Sequence, residues 1–148
     1  MEYWDLTENP AGLIYKEFIK VLCDYSDAFF FVTRKELKYN QEILDTFHPY
    51  VIHRYQTNEW ANTIAKGSPA TVFVFAANAD TCHLLQQSAN ALYDWVAPNL
   101  PEDLTFIKNR FEWFTSTTHE KDACFSIRSE YYRNIIHTIE GLKLKKVE

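Results

Sequence analysis

Leu100 to Ile127 reads LPEDLTFIKNRFEWFTSTTHEKDACFSI, and this stretch decides the fold class. Leu104 to Lys108 and Phe111 to Ser116 are runs rich in aromatic and β-branched residues, separated by Asn109-Arg110, a connection of hairpin length. After the corner Thr117-Thr118-His119-Glu120, Ala123 to Ile127 predicts a further strand. Short connections imply antiparallel neighbours, because parallel strands need a crossover of a dozen or more residues.

Working outward, Asp80 is placed to cap a helix running to about Val96, with Cys82, Leu85, Ala89, Leu92 and Val96 as its inward stripe and Pro98 and Pro101 as stops. Ala70 to Ala77, ATVFVFAA, lacks a polar face after Thr71, as expected of a central strand. Thr57 to Pro69 is polar, contains Gly67-Ser68-Pro69, and reads as an irregular connection with Trp60 exposed in it. Tyr50 to Gln56 alternates like a strand. Thr33 and Glu36 have capping-box spacing for a helix from Arg34 to about Phe47, and His48, before Pro49, ends it.

Ala28 to Val32 is apolar on both alternations, a strand covered on both sides. Asn9-Pro10 starts a helix carrying Ile14, Phe18, Val21, Leu22 and Tyr25 on one face. At the other end, Ser129 to Glu140 has Tyr132, Ile135, Ile136 and Ile139 at helical spacing, with Gly141 in the cap position. The order α-β-α-β-β-α-β-β-β-α predicts an α+β fold, a mostly antiparallel sheet with helices layered on it. The 148 residues suit a single globular domain over 1-148.

The composition is 47% hydrophobic and 24% charged, with aromatics at 16% and only three glycines. A net charge of −5 argues against nucleic acid, whose phosphates require clustered lysine and arginine. Lys143, Lys145 and Lys146 form the one basic cluster and suit a solvated helix end. Cys23, Cys82 and Cys124 are widely spaced and odd in number, which fits buried reduced thiols better than a disulfide framework or zinc site. The opening MEYWDLTENP lacks the pattern of a signal peptide, and no uncharged run reaches bilayer length. The expectation is a cytoplasmic protein with no membrane contact.

His119-Glu120 offers an imidazole beside a carboxylate, the pairing of acid–base catalysis or metal ligation, but HEKDA lacks the second histidine of a helical zinc motif. The same dipeptide fits a solvated strand corner. His119 with Cys124 has the composition of a thiol and its base, yet Cys124 sits between Ala123 and Phe125 in a strand, where an inert buried thiol is expected. Glu102-Asp103 after Pro101 supplies paired carboxylates, and also ordinary turn punctuation. Asp45, His48 and His53 form a looser group across the proline turn. Gly12, Gly67 and Gly141 are isolated, so no phosphate-cradling loop exists and no cofactor is expected.

The run Leu100 to Glu120, with PEDL, an aromatic hairpin, Trp113-Phe114 and then Thr118-His119-Glu120, resembles a pattern in small uncharacterised bacterial proteins of the toxin-immunity kind. That resemblance implies a cytoplasmic, acidic, single-domain binder and supplies no catalytic residue. Acidity and aromatic excess favour the same reading, since tyrosine and tryptophan anchor interfaces and acids steer a basic partner. Its expected contacts are Trp60, Glu59, Glu102, Asp103, His119 and Glu120. Two alternatives stand beside it: a small hydrolase or metal-dependent enzyme using His119 with Glu120 or Asp103, and a structural or regulatory homodimer joined through the hairpin.

Overall fold

In the computed structural model, which describes residues 1–148, the strands around the hairpin join one large antiparallel sheet. The strands are β1 (Glu2–Leu6), β2 (Ala28–Thr33), β3 (Val51–Thr57), the short β4 (Glu59–Trp60) and β5 (Thr63–Ile64), β6 (Ala70–Ala76), β7 (Glu102–Lys108), β8 (Phe111–Thr117), β9 (Asp122–Ile127) and β10 (Leu144–Lys146). Four helices accompany them: α1 (Leu13–Asp24), α2 (Gln41–Phe47), α3 (Ala79–Ser88) and α4 (Glu130–Ile136). Eight strands lie in the order β10-β1-β9-β8-β7-β2-β6-β3, and β4 pairs only with β5. This is the α+β architecture of an antiparallel sheet with helices.

Cross-strand register explains the aromatic excess. Trp4, Phe125, Phe114, Phe106, Phe29, Phe75 and Val51 sit opposite one another on successive strands, so their side chains share one face of the sheet. Ring centroids along this row are separated by 4.9 Å for Phe114–Phe125, 6.2 Å for Phe106–Phe114, 5.5 Å for Phe29–Phe106 and 5.1 Å for Phe29–Phe75. From α1, Phe18 meets Phe114 edge-on at 5.2 Å, while Trp95 stacks on Phe31 at 6.0 Å. Each fully buried ring contributes about 2 kcal/mol through burial alone, which makes this row the main source of stability.

On the opposite face, Phe30, Val32, Ala70 and Val72 form a smaller apolar cluster. No helix covers it. Trp60 from the β4–β5 hairpin does, so the polar stretch after Thr57 folds back onto the sheet and its tryptophan is 4% exposed. The expectation of an irregular connection with an exposed Trp60 is corrected by this packing.

Other boundaries shift for local reasons. Asn9 does not start α1: its Oδ1 accepts the Tyr93 N–H at 3.0 Å, and the helix begins after Gly12, whose φ is 61°. The capping-box reading at Thr33 fails because Asn40, accepting the Glu42 N–H at 2.9 Å, is the cap of the shorter α2. Asn78 rather than Asp80 caps α3, through a reciprocal bond with Thr81, and α3 stops at Ser88. The ATVFVFAA strand is interior but stands next to the edge strand β3. β1 and β10 are additional strands that extend the sheet on the far side of β9. No helix is long and apolar enough to cross a membrane.

Candidate recognition corner

At the start of β7 the chain makes a bulge. Phe30 faces Thr105 but Val32 faces Glu102, so β7 carries one residue more than β2 over this span, and Asp103 adopts φ 60°. Aspartate tolerates this left-handed conformation better than most residues because its short polar side chain bonds locally. The bulge aims the Asp103 carboxylate inward, where the residue is 1% exposed.

Both carboxylate oxygens are occupied. Oδ2 accepts the indole N–H of Trp60 at 2.8 Å, and Oδ1 accepts the backbone N–H of Thr118 at 2.9 Å. The Thr118 hydroxyl accepts the Asp103 N–H at 3.2 Å and donates to the Trp95 carbonyl. One side chain thus ties the β4–β5 hairpin to the corner after β8. Asn62 adds a second tie, donating from Nδ2 to the Thr115 hydroxyl at 3.2 Å.

Glu102, 3% exposed, has its own donor. The Tyr39 hydroxyl donates to Glu102 Oε1 at 2.7 Å and accepts the Arg34 N–H at 2.9 Å. Burial pushes the Tyr39 phenol well above its ordinary range, so it stays protonated and available as a donor. The Arg34 guanidinium lies over the Trp60 ring, 5.0 Å from its centroid, with its Nε buried and unpartnered.

The six residues nominated from sequence therefore gather at one end of the sheet, but in two roles. Trp60, Glu102 and Asp103 are buried and bonded internally, so they are not contact residues; the expectation that they face a partner is corrected. Their chain neighbours come to the surface: Glu59 precedes Trp60, and His119 and Glu120 follow Thr118, with side chains 41% and 65% exposed. His119 Nε2 and Glu120 Oε1 stand 3.9 Å apart on a short 3-10 turn. Asp103 does not join them, because its oxygens point to Trp60 and Thr118. Of the two carboxylates that could assist His119 in the hydrolase alternative, Asp103 is committed elsewhere and Glu120 is the one beside it.

Cys124 is half-buried, and burial together with the neighbouring Asp5 pushes its thiol up to about 12, so it is a thiol rather than a nucleophilic thiolate near neutrality. Its Sγ donates to the Phe125 carbonyl at 3.4 Å. Asp45, His48 and His53 do not converge, and His, Cys, Asp and Glu side chains gather nowhere in groups of three that would hold a metal. Trp95 and Trp113 belong to the core, as their apolar surroundings in sequence indicate.

Sequence reasoning missed Thr118, Arg34 and Tyr39 as parts of the corner. Tyr39 and Glu102 are 63 positions apart, and Trp60 and Asp103 are 43 apart, so no local pattern links them. The available signal was a lone tryptophan in a polar stretch, which needs somewhere to bury its ring and a partner for its N–H. Comparison with protein-family models, with curated proteins and with solved structures finds no match.

Proposed function

We propose that the protein is a non-catalytic binding domain that takes a basic protein partner at the Asp103 corner, in the manner of a toxin-neutralising immunity protein. One observation supports this reading above others. Glu59, Glu102, Asp103 and Glu120 lie at the same end of the sheet, and none has a lysine or arginine within salt-bridge distance. Carboxylates left without cationic partners give the corner an acidic field that attracts and orients a basic surface. The internal bonds of Asp103 hold Trp60 and Thr118 still, and with them the exposed Glu59, His119 and Glu120. A fixed set of contacts loses less entropy on binding than a mobile one.

The test is co-expression with the products of adjacent genes, followed by calorimetric titration of whichever protein co-purifies. The expected partner carries net positive charge. The double variant Glu59→Lys/Glu120→Lys should bind it about tenfold or more weakly, and added salt should weaken the wild-type complex more than the variant's. A partner that binds the double variant as tightly as the wild type, or with the same salt dependence, overturns the assignment of this corner.

A further inference from the structure

The turn His48-Pro49-Tyr50 carries the chain from α2 into the edge strand β3, and a pocket lies between these two elements. Phe47 seats the end of α2, meeting Phe31 edge-on at 5.2 Å and Phe75 at 5.5 Å. These three rings are buried and line the pocket from beneath. Leu44, Val51 and Phe73 line it too, half-buried, and supply the apolar surface that a ligand can touch. The pocket holds 230 Å³, below the roughly 300–1,000 Å³ of drug-sized sites, which suits a molecule of amino-acid size.

Two opposite charges share this pocket without meeting. Arg54 lies opposite Phe73 in register and carries its guanidinium over that ring, 5.3 Å from the centroid. Asp45 comes from α2, where Gln41 Nε2 donates to its Oδ1 at 2.8 Å and leaves Oδ2 free. Neither Arg54 nor Asp45 belongs to any ion pair of the molecule, although both line the one pocket. Asp45 also stands in the last turn of α2, where the helix dipole disfavours a carboxylate, so the helix gains nothing from its charge. His48 lines the same pocket as a further hydrogen-bonding group.

We propose that this pocket binds a free α-amino acid with a large apolar side chain. Arg54 takes the α-carboxylate through paired N–H donors, with His48 beside it, and Asp45 takes the α-ammonium on its free oxygen. The ligand's side chain lies against Leu44, Val51 and Phe73. Charge complementarity selects this class. A simple carboxylate leaves Asp45 facing an anion, a simple amine leaves Arg54 facing a cation, and only the zwitterion satisfies both. A peptide does not present the same pair, because its ammonium and carboxylate sit at opposite ends of the chain.

The test titrates the full chain with L-phenylalanine, read by calorimetry and by ligand-observed NMR. Saturable one-to-one binding at about 1 mM or tighter is expected. L-Alanine, with the same charges and almost no apolar body, should bind about tenfold or more weakly. The deaminated analogue hydrocinnamate and the decarboxylated analogue phenethylamine should each bind about tenfold more weakly as well. Arg54→Gln should weaken L-phenylalanine about tenfold without weakening phenethylamine, and Asp45→Asn should weaken it similarly without weakening hydrocinnamate. Both positions are exposed, and the analogues on the wild type decide the charge requirement whatever the variants do to folding. No saturable binding of L-phenylalanine up to about 10 mM, equal binding of any of the three analogues, or unchanged L-phenylalanine affinity in either folded variant overturns the proposal.

Discussion

The β7–β8 hairpin is held by an aspartate at each end, and the two ends differ in everything except that chemistry. At the turn, Asn109 and Arg110 adopt φ 51° and 64°, the paired left-handed values of a two-residue hairpin loop whose twist matches the strands. Asp27 secures it from outside, accepting the Asn109 N–H at 2.8 Å and the Lys108 ammonium at 3.1 Å. At the open end, Asp103 is inside the protein and accepts from Trp60 and Thr118. Water can replace Asp27 as an acceptor. Nothing can replace Asp103, whose donors are sealed beneath the β4–β5 hairpin. The exposed end is a local turn that happens to be braced; the buried end is a tertiary junction on which the shape of the acidic corner depends.

Removing the buried acceptor is the strongest way to expose that difference. Asp103→Ala leaves two buried donors unsatisfied, at about 1–3 kcal/mol for each such group, and puts alanine in a left-handed conformation costing roughly 1 kcal/mol more. The expected loss is about 3–4 kcal/mol in urea unfolding followed by far-ultraviolet circular dichroism. Asp103→Gly should recover roughly 1 kcal/mol of it, because glycine accepts the backbone but not the hydrogen bonds. Equal stability of the two variants would show that the bulge is not strained.

Trp60→Phe keeps most of the apolar plug over Phe30 and Val72 but deletes the indole N–H. Asp103 Oδ2 then loses its partner, with an expected loss of about 1–2 kcal/mol by the same unfolding measurement. A larger loss, close to that of Asp103→Ala, would mean that the hairpin lifts off altogether. The corner would then open with it, and Glu59 would lose its fixed position relative to His119 and Glu120.

The turn end is legible in the sequence and the buried end is not, for a physical reason. Asn109-Arg110 between two β-rich runs is a pattern complete within a few residues, as is the Ser129 start of α4; the expected run to Glu140 with Gly141 as its cap is corrected, because α4 ends at Ile136 with His137 as its C-cap. The sheet, its antiparallel sense and the core placement of Trp95 and Trp113 follow from such local patterns. β1 and β10 escape notice because each is short and its pairing partner lies at the opposite end of the chain. Trp60 is misread because polarity of its neighbours describes the hairpin's outer surface and not where its one large ring goes. Glu102 and Asp103 are read as surface punctuation because a carboxylate's donors, here Tyr39, Trp60 and Thr118, come from elsewhere in the fold.

The smallest effect belongs to Asp27→Asn, and pH makes it visible. The Asn109 N–H, and after it the Lys108 ammonium, hold the Asp27 carboxyl below the usual aspartate range. A folded-state value depressed below the unfolded one means that ionised Asp27 stabilises the fold at and above the ordinary carboxylate range, and that this contribution disappears as pH falls through the folded value. Asparagine at this position still accepts from Asn109 but carries no charge to lose. Urea midpoints measured from neutral to strongly acidic pH should therefore show the wild type ahead near neutrality, with the gap to Asp27→Asn narrowing as acid is added and closing once Asp27 is protonated in both states. Because the side chain is half exposed, salt screens part of the effect, and the gap near neutrality should shrink at high ionic strength. Parallel acid limbs for the two proteins would mean that the turn is held by Asn109 and Arg110 geometry alone, and the likeness between the two ends of the hairpin would reduce to the one buried aspartate.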